Sequence, residues 1–137
     1  MRMTLLLRLA STLSLFFLVG HTLGGLMKSW SPIGETSVLT AMRTFRFDVA
    51  GVNRSYLEFY RGFGFLLSVS LLMQTVLLWQ LGTVATTDRA LARPFVVTFF
   101  LMSIASGVLT WRYLFPVPVY FGAALTLCLG LAVFANR

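Results

Sequence analysis

Four apolar runs, at about residues 5–26, 56–81, 95–115 and 119–135, leave this chain one choice of solvent. About 20 helical residues cross about 30 Å of hydrocarbon, and each run reaches that scale. A soluble helical bundle would carry Lys and Glu on the outer face of every helix, at helical spacing, whereas these runs carry almost none. With 58% hydrophobic and 11% charged residues, the same chain in water would expose that surface and aggregate. The solvent is therefore lipid, where helices satisfy every backbone N–H and C=O internally. The expected fold is all-α: an integral membrane antiparallel four-helix bundle forming one domain over residues 1–137, with an amphipathic interfacial helix between the first and second spans. Short connectors after the second and third spans favour that arrangement and bring both termini to one side.

Charge narrows the partners. The chain carries 11 Lys and Arg against 4 Asp and Glu, a net +7. These cations sit at the ends of apolar runs rather than on one face, so nucleic acid is excluded as a partner and membrane lipid headgroups are the expected counter-charge. Arg2, Arg8, Arg89, Arg93 and Arg137 face little acid, which places both termini in the cytoplasm. Lys28, Arg43, Arg46, Arg54, Arg61 and Arg112 fall on the other side, so orientation rests on the first helix leading and on the short turn at Arg89. A basic start before an apolar run also describes a signal peptide. No small-x-small site follows cleanly, so this run reads as an uncleaved helix.

Along the chain, Ser14, His21 and Gly25 fall within about 40° of one another on the first helix, a weakly polar stripe. Gly20 and Gly24 form a GxxxG on a neighbouring face, a helix-packing signal or a flexible helix end. The connector, 27–53, holds Val38, Leu39, Met42 and Phe45 at helical spacing with Arg43 and Arg46 opposite, the pattern of an interfacial helix over 35–47; an ordinary loop is the alternative. Trp30, Pro32 and Gly34 precede it as interfacial anchor and breakers. A polar turn is expected over 83–93, with Pro94 in the first turn of the third helix. Ser103, Ser106, Gly107 and Thr110 share one face of that helix, and Gly122, Thr126 and Gly130 recur every four residues on the fourth; both read as packing faces. Phe115-Pro116-Val117-Pro118 turns the chain between them.

The polar groups gather at one mouth. His21 closes the first span, Arg54, Tyr56, Glu58, Tyr60 and Arg61 open the second, and Trp111 and Arg112 end the third. Arg54, Glu58 and Arg61 lie within about 60° on the second helix, so Glu58 can pair with either arginine. Tyr56 and Tyr60, with Gln74 one layer deeper, point nearly the opposite way, and either edge can face the bundle. Read functionally, the mouth binds a lipophilic molecule, with His21, Glu58 and a tyrosine on its head and Arg54 or Arg61 on an anionic group. Read otherwise, Arg54, Glu58 and Arg61 are a solvated ion cluster beside the membrane.

Sharper chemistries fail. One histidine excludes bis-histidine haem ligation, and one cysteine, Cys128, excludes an intrachain disulfide. There is no CxxC, HExxH, glycine-rich phosphate loop or serine nucleophile motif, so neither a cofactor nor a metal is expected. No acid lies at mid-membrane, which counts against a proton-coupled exporter.

Several stretches carry a resemblance: His21-Thr22-Leu23-Gly24-Gly25; Phe47-Asp48-Val49 with Gly51, Arg54, Tyr56, Phe59, Tyr60, Gly62 and Gly64; Leu78-Trp79-Gln80-Leu81-Gly82; and Trp111-Arg112-Tyr113. On these the chain resembles small bacterial four-span membrane proteins, loosely the DoxX-like group. The resemblance implies the bacterial inner membrane and one helical domain, and supplies no substrate. DoxX-like relatives are associated with redox or stress-related membrane assemblies, and the ligand set for redox chemistry is not visible here. Three functions fit: binding of a lipophile or partner helix at the mouth, an enzyme acting on a lipid-like substrate with Glu58 or His21 as acid or base, and an accessory subunit of a larger membrane complex.

Overall fold

The structure, a computed structural model, describes residues 2–27 and 33–135, with only the backbone described over 33–36. Lys28, Trp30, Pro32 and Arg137 lie outside the described residues. The order of elements is α1 (Arg2–Val19), a π-helical segment (Gly20–Met27), α2 (Ile33–Thr44), β1 (Arg46–Val49), β2 (Val52–Ser55), α3 (Tyr56–Thr87), α4 (Arg89–Tyr113) and α5 (Pro116–Phe134). Four helices are long and apolar enough to cross a membrane: Arg2–Met27, Tyr56–Thr87, Arg89–Tyr113 and Pro116–Phe134. The chain is a multi-pass membrane protein on that ground.

Boundaries differ from expectation for local reasons. The polar turn over 83–93 shrinks to Asp88, because Thr83, Thr86 and Thr87 give their hydroxyl protons to the carbonyls of Trp79, Thr83 and Val84, which lets threonine continue α3. Asp88 then caps α4, its Oδ1 accepting from Leu91 N at 2.9 Å. α4 consequently begins at Arg89, and Pro94 sits in its second turn rather than its first, where the ring removes a donor from the ladder. At the other end Pro116 opens α5, where a missing N–H costs nothing.

The connector holds a β-hairpin where a longer helix was expected. α2 stops at Thr44, and β1 and β2 pair antiparallel with Phe47 opposite Arg54 and Val49 opposite Val52. Ala50 and Gly51 form the two-residue turn with φ of 54° and 76°, the signature of a type I′ turn. Gly51 enters this region freely, Ala50 at about 1 kcal/mol. Asp48 Oδ1 accepts from Gly51 N at 3.2 Å and ties the turn to its strand.

Contacts group the chain into two compact units, Met1–Leu18 with Leu71–Arg137, and Val19–Ser70. The first has a core from four helices: Met3, Leu7 and Ala10 of α1, Leu78 and Ala85 of α3, Ala92 and Val96 of α4, and Leu129, Ala132 and Val133 of α5. Cys128 packs against it. Close approach is made by small residues: a Cβ at Gly130 would stand 3.0 Å from the Phe100 ring, and one at Gly82 would stand 3.6 Å from Leu7 Cβ. In lipid such packing replaces the hydrophobic drive that lipid tails cannot supply. The second unit comprises the π segment, α2, the hairpin and the start of α3.

Candidate functional site

Helix α3 exposes its logic through spacing. Its buried residues Leu57, Ser68, Leu71, Thr75, Leu78 and Ala85 recur at threes and fours and their sums, the seam of a helix that packs along a partner. On α1 the buried residues Met3, Leu7, Ala10 and Ser14 keep the same spacing. Within the first unit rising α1 numbers meet falling α3 numbers, so the two run in opposite directions. Ser11 Oγ donates to Thr75 O at 2.7 Å, and Ser14 Oγ to Leu71 O at 3.5 Å. Gln74 Nε2 donates to Ser14 Oγ at 3.0 Å. These hydroxyls are buried and paired, as the absence of water in hydrocarbon demands.

In the second unit the same kind of pairing holds a different object. The π segment bears His21 and Thr22 against α3: His21 Nε2 lies 3.1 Å from Gly64 O and Thr22 Oγ1 2.9 Å from Ser68 Oγ. A carbonyl only accepts, so the hydrogen bond assigns the proton to Nε2. Ser68 Oγ donates to the same Gly64 oxygen at 3.3 Å. A side chain at Gly64 would run into Leu26 of the π segment, so glycine lets that side chain lie against α3. No residue of the π segment is buried, so His21 and Thr22 are accessible in a way the Ser11–Ser14 seam is not, while their partner Ser68 on α3 is buried. Wide π turns recur at functional sites because they offset side chains from the regular ladder.

The charged edge of α3 has a structural use. Ser55 N donates to Glu58 Oε2 at 2.7 Å while Glu58 N donates to Ser55 Oγ at 3.2 Å, a reciprocal capping box that starts α3 directly from β2. The ion partner of Glu58 is Arg46, at 3.7 Å with both side chains about half-exposed, and not Arg54 or Arg61. The hairpin decides this, since the pairing of Arg46 with Ser55 brings β1 alongside the first turn of α3. Arg46 also bonds the Asn53 side chain. Arg54 is exposed and donates to the neighbouring Asn53 O at 3.2 Å.

Tyr56 has aromatic neighbours, with ring centroids 5.3 Å from Phe45 and 5.0 Å from Phe47. Phe47 meets Phe59 at 5.6 Å and Phe59 meets Phe63 at 4.8 Å, so an aromatic row runs from the hairpin onto α3. Tyr60 and Arg61 are exposed. Trp111 and Arg112 belong to the first unit at the end of α4, both exposed, with the Arg112 guanidinium 5.6 Å over Tyr113.

Of the expected packing positions, Ser103 is buried and gives its proton to Phe100 O at 2.7 Å, and Gly130 meets Phe100. Thr126 Oγ1 bonds Gly122 O at 2.8 Å within its own helix. At Gly20, Gly24, Gly107 and Gly122 an added Cβ would meet nothing within 4 Å among the described residues. The residues missed were Thr22, Gly64, Ser68 and the cap Ser55. Their signals are present: small and hydroxyl residues at 64, 68, 75 and 82, and Ser-x-x-Glu ahead of an apolar run.

Among the described residues no three of His, Cys, Asp and Glu gather closely enough to hold a metal ion. What the cluster offers is neutral hydrogen bonding: an imidazole, two hydroxyls and a carbonyl shared between two helices. Comparison with protein-family models, with curated proteins and with solved structures found no match to this chain.

Proposed function

We propose that this protein is a non-catalytic membrane protein that binds a lipophilic molecule through its polar head at His21, Thr22 and Ser68, with the aromatic row of Phe47, Phe59 and Phe63 beside the apolar part. The observation that carries the reading is a half-buried imidazole and hydroxyl on a π-wound segment of an otherwise apolar span, paired with Gly64 O and with the buried Ser68 hydroxyl of α3. In this proposal the four long helices form an antiparallel bundle with α2 at the interface, its Val38 and Leu39 exposed for acyl chains. Both termini are cytoplasmic, and the setting is a bacterial inner membrane of the DoxX-like kind. An acid–base role for Glu58 is not favoured, because its Oε2 is held by Ser55 N and Arg46.

A second reading, a partner helix seated as in an accessory subunit, is favoured by Gly20, where an added Cβ would meet nothing within 4 Å among the described residues. One experiment separates them. The full chain is purified in mild detergent, and extracts are profiled by mass spectrometry for co-purifying lipophiles and proteins. The lipophile reading expects a bound molecule whose yield falls about tenfold in His21→Leu with helical content unchanged. An unchanged profile overturns it, and a stoichiometric protein lost on Gly20→Leu establishes the partner-helix reading instead.

A further inference from the structure

The motif Leu78-Trp79-Gln80-Leu81-Gly82 plays no part in the His21 cluster, yet within the first unit it builds a cradle for one arginine. Gly82 is buried, and a Cβ there would stand 3.4 Å from Arg8 Cγ, so the aliphatic stem of Arg8 lies along α3 where a side chain is missing. The guanidinium carbon then rests 5.0 Å from the Trp79 ring centroid, which orients one face of the cation. Among the described residues its N–H edges meet no carboxylate: Asp88 is the acidic side chain of this unit, against Arg2, Arg8, Arg89, Arg93 and Arg112, and Asp88 caps Leu91 N. Arg8 borders a shallow, largely open surface cavity of about 400 Å³ lined also by Thr4, Leu5 and Thr86.

We propose that this cavity is a binding site for the phosphate of an anionic phospholipid, held by Arg8 over Trp79. A guanidinium fork matches two phosphate oxygens, and stacking on an indole leaves that fork pre-oriented. The Thr4 hydroxyl, on the first turn of α1, donates to a third oxygen. Leu5 and Trp79 are exposed, 60% and 50%, and offer apolar surface beside the guanidinium to the carbon skeleton of a lipid. A free phosphate ion gains nothing from those two side chains. Tryptophan favours the same depth, since its indole sits at the headgroup boundary. The site is separate from the His21 cluster and stands whether or not that cluster binds a lipophile.

The test uses the full chain with Trp30 and Trp111 replaced by Phe, reconstituted in vesicles, so that Trp79 is the reporter. Quenching by brominated phosphatidylglycerol is compared with quenching by brominated phosphatidylcholine. The expected preference for the anionic lipid is about fivefold, falling to parity in Arg8→Gln, partly kept in Arg8→Lys, and unchanged in Arg93→Gln. Equal quenching in the parent protein overturns the site. So does an equal loss in Arg93→Gln, which would mean general surface charge, or abolition of the preference by inorganic phosphate, which would mean a free-anion site.

Discussion

The α1–α3 seam of the first unit and the π segment on α3 in the second use the same vocabulary for opposite ends. Ser11, Ser14 and Thr75 are nearly sealed, 2%, 3% and 9% exposed, and their hydroxyls pair with carbonyls one turn or one helix away. His21 and Thr22 make equally short contacts, yet no residue of the π segment is buried, although Ser68 opposite Thr22 is as sealed as Thr75. A buried hydroxyl pair in lipid stabilises packing, whereas an accessible one can exchange its partner for a ligand. The difference is made by winding and by glycine. α1 is regular where it meets Leu78 and Gly82, and turns π-helical where Gly64 admits Leu26.

The comparison breaks hardest at Leu78, which is fully buried in the first unit. Leu78→Ala is expected to lower stability by about 2–5 kcal/mol, read as an earlier unfolding midpoint in denaturing detergent with helicity as the signal. A change inside experimental error would mean that this core contributes no packing. Next comes Gly64→Ala, which pushes a methyl into Leu26 and displaces the π segment at a cost of about 1–3 kcal/mol. Hydrogen exchange should show that loss over 19–27 and leave the first-unit core protected; uniform loosening of both regions would erase the distinction drawn above. The smallest effect separates the two seams themselves. Ser14→Ala should cost about 0.6 kcal/mol of global stability, while Thr22→Ala should leave the unfolding midpoint unmoved. Equal shifts in the two variants would show that both seams are merely structural.

Much of this was legible in the residues, though unevenly. Ser14 and His21 were already on one stripe, and each meets a backbone carbonyl of α3, Leu71 O in the first unit and Gly64 O in the second. Charge misdirected the reading of Glu58: helical spacing offered Arg54 and Arg61, while the partner came from Arg46 across a hairpin. That hairpin was hidden because its turn is Ala50-Gly51 rather than Asn-Gly, and because Phe45 and Arg46 continue the apolar and basic faces of α2 past its end. The capping box at Ser55 and Glu58 was readable and would have placed the start of α3.

Four membrane-length helices follow from the sequence alone, because length, apolarity and the absence of charge are local properties that lipid tests residue by residue. Which glycines carry close contacts does not follow. Gly20, Gly64, Gly82 and Gly130 look alike in the chain, and only the neighbour that an added Cβ would meet among the described residues, Leu26, Arg8 or Phe100, separates the last three from the first. The same holds for the arginines. Arg8 and Arg93 are both cations at helix ends, and the tertiary structure alone lays Arg8 over Trp79, because a cation–π contact needs a ring presented by another helix at the right depth.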